Sequence, residues 1–257
     1  MRIWRTLFNF YIDASVHVAL AIMCLVYVTD FTNGICRHIV YPSCVFFGTI
    51  VAYNFLKYVE LIAIKRVFTQ KTIAVIGFTL ISFLAFLFFF FWLKRSIQIQ
   101  IIVAALLVLV YPFLRKQGWL KMFLVSVVIT IVSVYIPFYL KKPIVMDYYI
   151  TLIQRFLFVT SLMIPFEIYD SQLDGKQLNT LPQRFGIRKS KLFGIALLVP
   201  FIVMEFLKES VSLTVVPIGL LTVLAINFTQ LKRSKYYTSF WVESIPVVWL
   251  VLVFLFR

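Results

Sequence analysis

Long apolar blocks separated by short polar segments make up almost the whole chain. Nine of these blocks approach or reach the roughly 20 residues that an α-helix needs to cross the apolar core of a bilayer. They cover about 14–29, 42–62, 73–93, 97–114, 120–140, 148–168, 192–207, 211–228 and 238–256. The pattern therefore predicts an all-α polytopic membrane protein, a bundle of nine transmembrane helices.

The composition agrees with this prediction. The 257 residues are 62% hydrophobic and only 14% charged, whereas a soluble domain is about half apolar and about a quarter charged. The mean hydropathy is +0.98. Because no linker or low-complexity segment divides the chain, we expect residues 1–257 to form a single transmembrane helical domain.

The positive charge indicates how the chain is oriented. The net charge is +15, but the bases lie in short segments between apolar blocks, where anionic lipid headgroups are found. Membrane lipids are therefore the expected partners, and nucleic acid is not. With the N-terminus inside, the inner segments hold 17 Lys and Arg and the outer segments hold 7. Since cytoplasmic loops are the richer in these residues, we expect a cytoplasmic N-terminus, an outside C-terminus and a multi-pass protein of a bacterial cell membrane.

Three of the chain's ten carboxylates are concentrated at the end of the sixth block. Glu167, Asp170 and Asp174 are spaced i, i+3, i+7, which places them on one face of a helix. Like charges at this spacing repel one another, and the helix macrodipole disfavours anions at a C-terminus. A bound cation would offset both costs. Carboxylates without His or Cys nearby suit a hard ion, so the pattern favours Mg²⁺.

Basic residues follow the acids closely. They are Lys176, Arg184, Arg188, Lys189 and Lys191. Such cations can hold an anionic phosphate group against a metal. The alternative is a solvated loop whose bases serve only to orient the chain, and spacing alone leaves both interpretations open.

The segment "EIYDSQLDGKQLNTLPQRFG" resembles the second aspartate-rich motif of the UbiA superfamily of intramembrane prenyltransferases. Glu167, Asp170 and Asp174 occupy the acidic positions, Lys176 follows, and the segment ends with Thr-Leu-Pro and Gly186. The resemblance implies nine transmembrane helices and a cytoplasm-facing site. It also implies Mg²⁺ as cofactor, and a prenyl diphosphate and an aromatic or lipid acceptor as partners.

A second segment, "YPFLRK", resembles a shorter motif of the same family, with its two bases in the opposite order. The resemblance implies that Tyr111, Arg115 and Lys116 contact the diphosphate or the acceptor. The alternative is a proline turn that carries inside-facing charge.

The sequence departs from the family at the first aspartate-rich motif. The corresponding segment reads "YNFLKYVEL", in which Asn54 matches the family's Asn. Phe55, Tyr58 and Ile62 stand where the family has aspartates, and Lys57 lies among them. A two-metal clamp is therefore doubtful. Either Lys57 contacts the diphosphate in place of a lost cation, or the catalytic site has lapsed.

The resemblance thus implies a set of roles. Asp170, Asp174 and Lys57 would be catalytic, and Glu167 would join the two aspartates around the metal. The substrate-binding residues would be Asn54, Lys176, Arg115, Lys116, Tyr111 and Arg184. The alternatives are a lapsed relative that binds a polyisoprenoid or lipid without turnover, and a transporter. The transporter is disfavoured because the acids lie at a membrane face rather than at mid-bilayer.

Two further ionisable residues lie inside apolar blocks, where charge is costly and usually functional. Glu243 either replaces a missing acid or pairs with Lys232 or Lys235. Arg155, deeper in the sixth block than Asp170, either pairs with a group on the outer side or lines a cavity.

Overall fold

The computed structural model describes residues 2–35, 39–63, 69–115, 118–139, 145–172 and 180–256. Every regular element within these ranges is a helix. The α-helices are α1 (Arg2–Asp13), α2 (Val16–Thr32), α3 (Val40–Ala63), α4 (Gln70–Phe91), α5 (Arg95–Arg115), α6 (Leu120–Thr130), α7 (Ile136–Tyr139), α8 (Val145–Asp170), α9 (Leu181–Phe185), α10 (Ile187–Val203), α11 (Val215–Phe228) and α12 (Ile245–Leu255). A π-helical segment, Ile131–Tyr135, joins α6 to α7, and another, Tyr237–Val242, precedes α12. A 3₁₀ turn, Met204–Leu207, extends α10.

These helices overlap all nine predicted blocks, but they differ in length and apolarity. Among the described residues, six helical segments are long and apolar enough to cross a membrane, and α1 with α2 forms a bent pair that adds a seventh. The six are Gln70–Phe91, Arg95–Leu114, Leu120–Tyr139, Met146–Asp170, Ile187–Leu207 and Tyr237–Leu255. The prediction of an all-helical integral membrane protein is confirmed. The count of nine spans and the sides of the two termini stay predictions.

Burial separates central from peripheral helices. In α8, 56% of the apolar window is buried inside the protein, whereas in α4 and α5 only 11% is. Both peripheral helices are apolar around most of their circumference, which in a membrane allows contact with lipid tails. The central position of α8 matters because this helix carries the predicted acidic cluster at its C-terminal end.

The core around α8 is aromatic. Phe158 of α8, Phe201 of α10 and Trp249 of α12 form a triangle whose ring centroids lie 5.4, 5.0 and 5.8 Å apart. Two of the three pairs are edge-to-face, an arrangement that places the positive edge of one ring against the negative face of another. These contacts hold α8, α10 and α12 together near the middle of the bundle.

Gly194 allows α10 to approach α8 closely. Ser161 Oγ donates a hydrogen bond to the Gly194 carbonyl at 2.5 Å. A Cβ at position 194 would lie 2.8 Å from Ile164 Cγ1 and 3.1 Å from Ile226 Cδ1. Both neighbours are fully buried branched side chains, so neither can move away easily.

We therefore expect Gly194→Ala to destabilise the protein by about 1–3 kcal/mol through overpacking. Gly77→Ala is the matched control, because Gly77 also lies in a helix but a Cβ there meets nothing within 4 Å. The control should leave stability unchanged or raise it slightly through helix propensity. Thermal denaturation of both variants in the same detergent measures the difference, and equal melting temperatures would refute the packing argument.

A sharp break separates α1 from α2. The two helices meet at 57°, and Ser15, within the break, has a left-handed backbone with φ 59° and ψ 22°. Ala14 and Ser15 are buried, whereas Ile3, Trp4 and Leu7 of α1 are exposed. An exposed apolar and aromatic helix at an angle to a span is typical of an element that lies at the membrane interface.

Candidate functional site

The predicted acidic cluster lies at the C-terminal end of α8. Glu167 is in the last turn, Asp170 is the last helical residue, and the Ser171 N–H donates to the Glu167 carbonyl at 3.0 Å. Glu167 is 1% exposed, and Asp170, nearly one turn closer to the end, is half-buried. Asp174 and Lys176 lie outside the described residues.

Glu167 is paired with a lysine from another helix. Lys121, in the first turn of α6, places its Nζ 3.1 Å from Glu167 Oε1, and both side chains are almost fully buried. Asp170 and the Tyr111 hydroxyl also lie within electrostatic range of the Lys121 ammonium. Lys121 therefore brings together two acids of the α8 motif and the tyrosine of "YPFLRK". The sequence had assigned Lys121 only to the orientation of the chain.

The segment in place of the first aspartate-rich motif makes structural contacts. Asn54 Nδ2 donates to the Ala14 carbonyl at 3.1 Å and to Thr79 Oγ1 at 2.9 Å. Its Oδ1 is buried and has no hydrogen-bond partner among the described residues. Phe55 is 44% exposed. Asn54 thus fastens α3 to the break after α1 and to α4, and its carbonyl oxygen alone is left for the predicted role in substrate binding.

Asp13, at the end of α1, is surrounded by three lysines. Lys57 Nζ lies 4.0 Å and Lys235 Nζ 3.8 Å from Asp13 Oδ1, and Lys71 contacts Oδ2. Lys57 and Tyr58 also donate to the Asp13 main-chain carbonyl, each at 3.1 Å. One carboxylate faces three ammonium groups, so this cluster carries a net positive charge. It lies at the same end of the bundle as Asp170.

Glu243 lies between the π-helical segment and α12. Its carboxylate interacts electrostatically with the Lys57 ammonium, while Lys235 lies beside Asp13. No ion pair among the described residues includes Glu243, and the ammonium that acts on its carboxylate is that of Lys57 rather than of Lys232 or Lys235. Through Lys57, Glu243 is linked to the lysine cluster around Asp13.

The remaining predicted residues are dispersed. Arg184 is exposed at the end of α9, with its guanidinium 5.3 Å from the Phe185 ring centroid. The Thr-Leu-Pro turn before it starts α9, and the Thr180 N–H donates to Gln183 Oε1 at 3.3 Å. Arg115 ends α5, although its side chain is not among those described, and Lys116 lies outside the described residues.

For two of the site residues that were not predicted, the sequence contained an indication of their importance. Lys121 stands within a predicted apolar block, where an ionisable group is costly and normally needs a partner. Asp13 directly precedes the first apolar block and is one of only ten carboxylates. No local spacing indicates that Lys71 and Lys235 approach Asp13, because each comes from a distant segment.

Fold and site together define a polytopic α-helical membrane protein with carboxylates and lysines gathered at one end of its bundle. The same fold occurs in a UbiA homologue from Aeropyrum pernix K1, with a TM-score of 0.69 and 10% identity over 93% of this chain and 98% of that one. A UbiA homologue from Archaeoglobus fulgidus bound to GPP and Mg²⁺ gives 0.62 and 12% identity over 96% and 98%. The chain therefore has the fold of the UbiA superfamily, as its α8 motif predicts.

A digeranylgeranylglyceryl phosphate synthase shares this fold as well, with a TM-score of 0.58 and 16% identity over 98% of this chain and 96% of the synthase. At the level of sequence, no family model matches the chain, and no curated protein matches it either. The likeness therefore lies in the path of the backbone over nearly the full length of both chains.

Carboxylates at the end of α8 have the donor chemistry that Mg²⁺ prefers. Asp170 is half-buried and Asp174 follows it along the chain, while Glu167 is held by Lys121. The described residues contain no group of three His, Cys, Asp or Glu placed to hold a metal, so a complete set requires Asp174. The described residues of the α8 side therefore offer the donor type of an Mg²⁺ site without completing one. On the α3 side, Phe55 and Tyr58 offer no carboxylate, and the side chain of Glu60, the one acid of this segment, is not among those described.

Proposed function

We propose that this chain is an intramembrane prenyltransferase of the UbiA type, which transfers an isoprenyl group from a prenyl diphosphate to an aromatic or lipid acceptor. One observation carries the proposal. Glu167 and Asp170 lie with Lys121 and Tyr111 at one end of a bundle that matches UbiA homologues over 93% or more of the chain. We place this end of the bundle at the cytoplasmic face of a bacterial cell membrane. The distribution of Lys and Arg between the two sides is what supports the cytoplasmic side.

Each charged group has a part in the proposed reaction. Mg²⁺, held by Asp170 and Asp174, would supply positive charge to the leaving diphosphate. Lys57, Lys176, Arg184, Arg115 and Lys116 would neutralise the remaining phosphate oxygens. Glu167 would keep Lys121 charged and in place, and would reach the metal only when that pair opens. Asn54 and Tyr111 would add neutral polar contacts.

The apolar bundle has a part of its own. Breaking the bond between an allylic carbon and the diphosphate leaves an allylic cation that water would capture. The buried faces of α2, α8 and α12 exclude water from the interior, so the cation would persist until the acceptor nucleophile attacks. The acceptor's proton would leave through a nearby base, for which Glu243 is the candidate within the apolar block.

A lapsed relative that binds a polyisoprenoid without turnover is the second candidate. The specific observation that favours it is the α3 segment, where Phe55 and Tyr58 replace carboxylates and Lys57 donates to Asp13. In this case the α8 side still binds diphosphate, but no bond is broken.

One experiment separates the two candidates. Purified protein in detergent is given radiolabelled geranyl diphosphate, Mg²⁺ and a panel of aromatic and lipid acceptors, and both diphosphate release and bound label are measured. Release that needs Mg²⁺ supports the transferase. Mg²⁺-dependent binding without release supports the lapsed binder, and the absence of both refutes a prenyl diphosphate site.

A further inference from the structure

Arg155 lies in α8 far from the acidic cluster. Fifteen residues separate it from Asp170, which corresponds to about 22 Å along the helix axis. Arg155 is 3% exposed, although it lies in a helix that crosses the membrane region. A guanidinium stays protonated in proteins, so a full positive charge is buried near the middle of α8, in the half of the helix away from Asp170.

Hydrogen bonds to Arg155 leave part of its guanidinium unused. Nη2 donates to Thr29 Oγ1 at 3.0 Å, and the guanidinium carbon lies 4.8 Å from the Trp249 ring centroid. Nη1 is buried and has no hydrogen-bond partner within the described part of the chain. A buried donor without an acceptor is costly, and more so when the group is charged.

Nearby carboxylates are committed to other groups. Glu205 Oε2 accepts from Gln154 Nε2 and from Lys208 Nζ, both at 2.9 Å, and Oε1 accepts from the Ser212 N–H at 2.8 Å. Asp147 accepts from the backbone of residues 209–210 and from the Ser210 hydroxyl. No ion pair includes Arg155 in the part of the chain that the structure describes, so no carboxylate there neutralises its charge directly.

A small cavity opens beside the guanidinium. Its volume is about 20 Å³, and it is open on one side, so it holds one water-sized group or a halide ion that extends into the opening. Hydroxyl, amide, carboxylate, ammonium and guanidinium groups line it, together with the Trp249 ring. The charged lining residues are Arg155, Glu205 and Lys208, and Gln154 supplies the amide. Two bases face one carboxylate here, and that carboxylate already accepts three hydrogen bonds.

We propose that this cavity is an anion-binding site whose principal donor is Arg155 Nη1. The occupant is one small anionic group, either a free halide ion or a single anionic oxygen of a lipid headgroup. A water molecule would accept the hydrogen bond but would leave the charge uncompensated. The site is separate from the proposed diphosphate site, and its test does not depend on catalysis.

Trp249 supplies a direct probe, because it packs on the guanidinium and is only 5% exposed. Bromide bound at the site should quench its fluorescence in a saturable manner, whereas bromide in solution quenches exposed tryptophans linearly. We expect saturable quenching in the unmodified protein at constant ionic strength, with sulfate as the balancing ion, since sulfate is too large for the cavity. The saturable component should disappear in Trp249→Phe.

Charge variants then test the donor. Arg155→Met should weaken bromide binding about tenfold or more, since a charge-assisted hydrogen bond is lost, and Arg155→Lys should retain part of it. Arg95→Met is the matched control, because it removes one exposed base from the start of α5, at the same end of the bundle. The control should bind bromide as the unmodified protein does.

The second part of the test measures the response of the protein to anionic lipid. In halide-free buffer, micelles containing phosphatidylglycerol should raise the melting temperature above that in phosphatidylcholine if a headgroup is the occupant, and Arg155→Met should lose this gain. A bromide response without a lipid response identifies the free ion. If the unmodified protein responds to neither, or responds equally with Arg155→Met, the cavity holds water only and the proposal is refuted. The unmodified protein decides this even if Arg155→Met fails to fold.

Discussion

Asp170→Asn is expected to weaken the Mg²⁺-dependent binding of geranyl diphosphate by about a hundredfold, the upper end of the loss seen when a group that supports a metal site is removed. Asparagine keeps the shape of the side chain and removes its charge. Asp170 is half-buried and ends α8, so the substitution leaves no buried charge unpaired and the fold should persist. Radiolabelled geranyl diphosphate titrated with and without Mg²⁺ measures the loss.

The matched control for this prediction is Glu209→Gln. It also removes one carboxylate charge, but from an exposed side chain at the opposite end of the bundle. Its binding should equal that of the unmodified protein. If Asp170→Asn retained Mg²⁺-dependent binding while melting normally, the proposed metal role of the α8 acids would be wrong, whichever of the two candidate functions applies.

Lys121→Met is expected to destabilise the protein by about 3–5 kcal/mol, the cost of breaking a buried ion pair on one side only. Methionine has a similar length but no charge, so Glu167, 1% exposed, would lose the ammonium 3.1 Å from its Oε1. Thermal denaturation followed by circular dichroism in detergent measures the effect.

A double variant tests the cause of this loss. Lys121→Met combined with Glu167→Gln removes both charges and should recover most of the stability, because a neutral amide is far cheaper to bury than a carboxylate. The coupling free energy of the two positions is then large. Additive effects of the single variants would show that the pair contributes little and that Lys121→Met acts through packing.

Helix positions followed from the sequence because the bilayer imposes one length and one polarity on every span. The i, i+3 spacing also predicted Glu167 and Asp170 at one helix end, and both lie in the last turn of α8. The spacing did not indicate, however, how deeply each side chain is buried. Nearly one turn of helix makes Glu167 fully buried and leaves Asp170 half-buried, so the two acids have different partners and different access to a metal.

Contacts between residues from distant segments could not be predicted from the sequence. Lys121 of α6 contacts Glu167 of α8, and lysines from three separate segments contact Asp13. Helix packing rather than local periodicity determines these contacts. For Asn54 the resemblance predicted a substrate contact, whereas in the structure its amide nitrogen holds α3 to α4 and to the break after α1. For Arg155 the sequence left two possibilities open, and the structure shows that it lines a cavity.

The break at Ser15 constrains the number of residues that join α1 to α2. Each residue added to or removed from the break would rotate α1 by about 100° about its axis relative to α2. Trp4 would then leave the interface, and Asp13 would turn away from its lysines. Glycine at position 15 would adopt the same positive φ without strain, whereas β-branched residues would be strained there. Homologous chains should therefore keep small or turn-forming residues at this position and show no insertions or deletions between Asp13 and Val16.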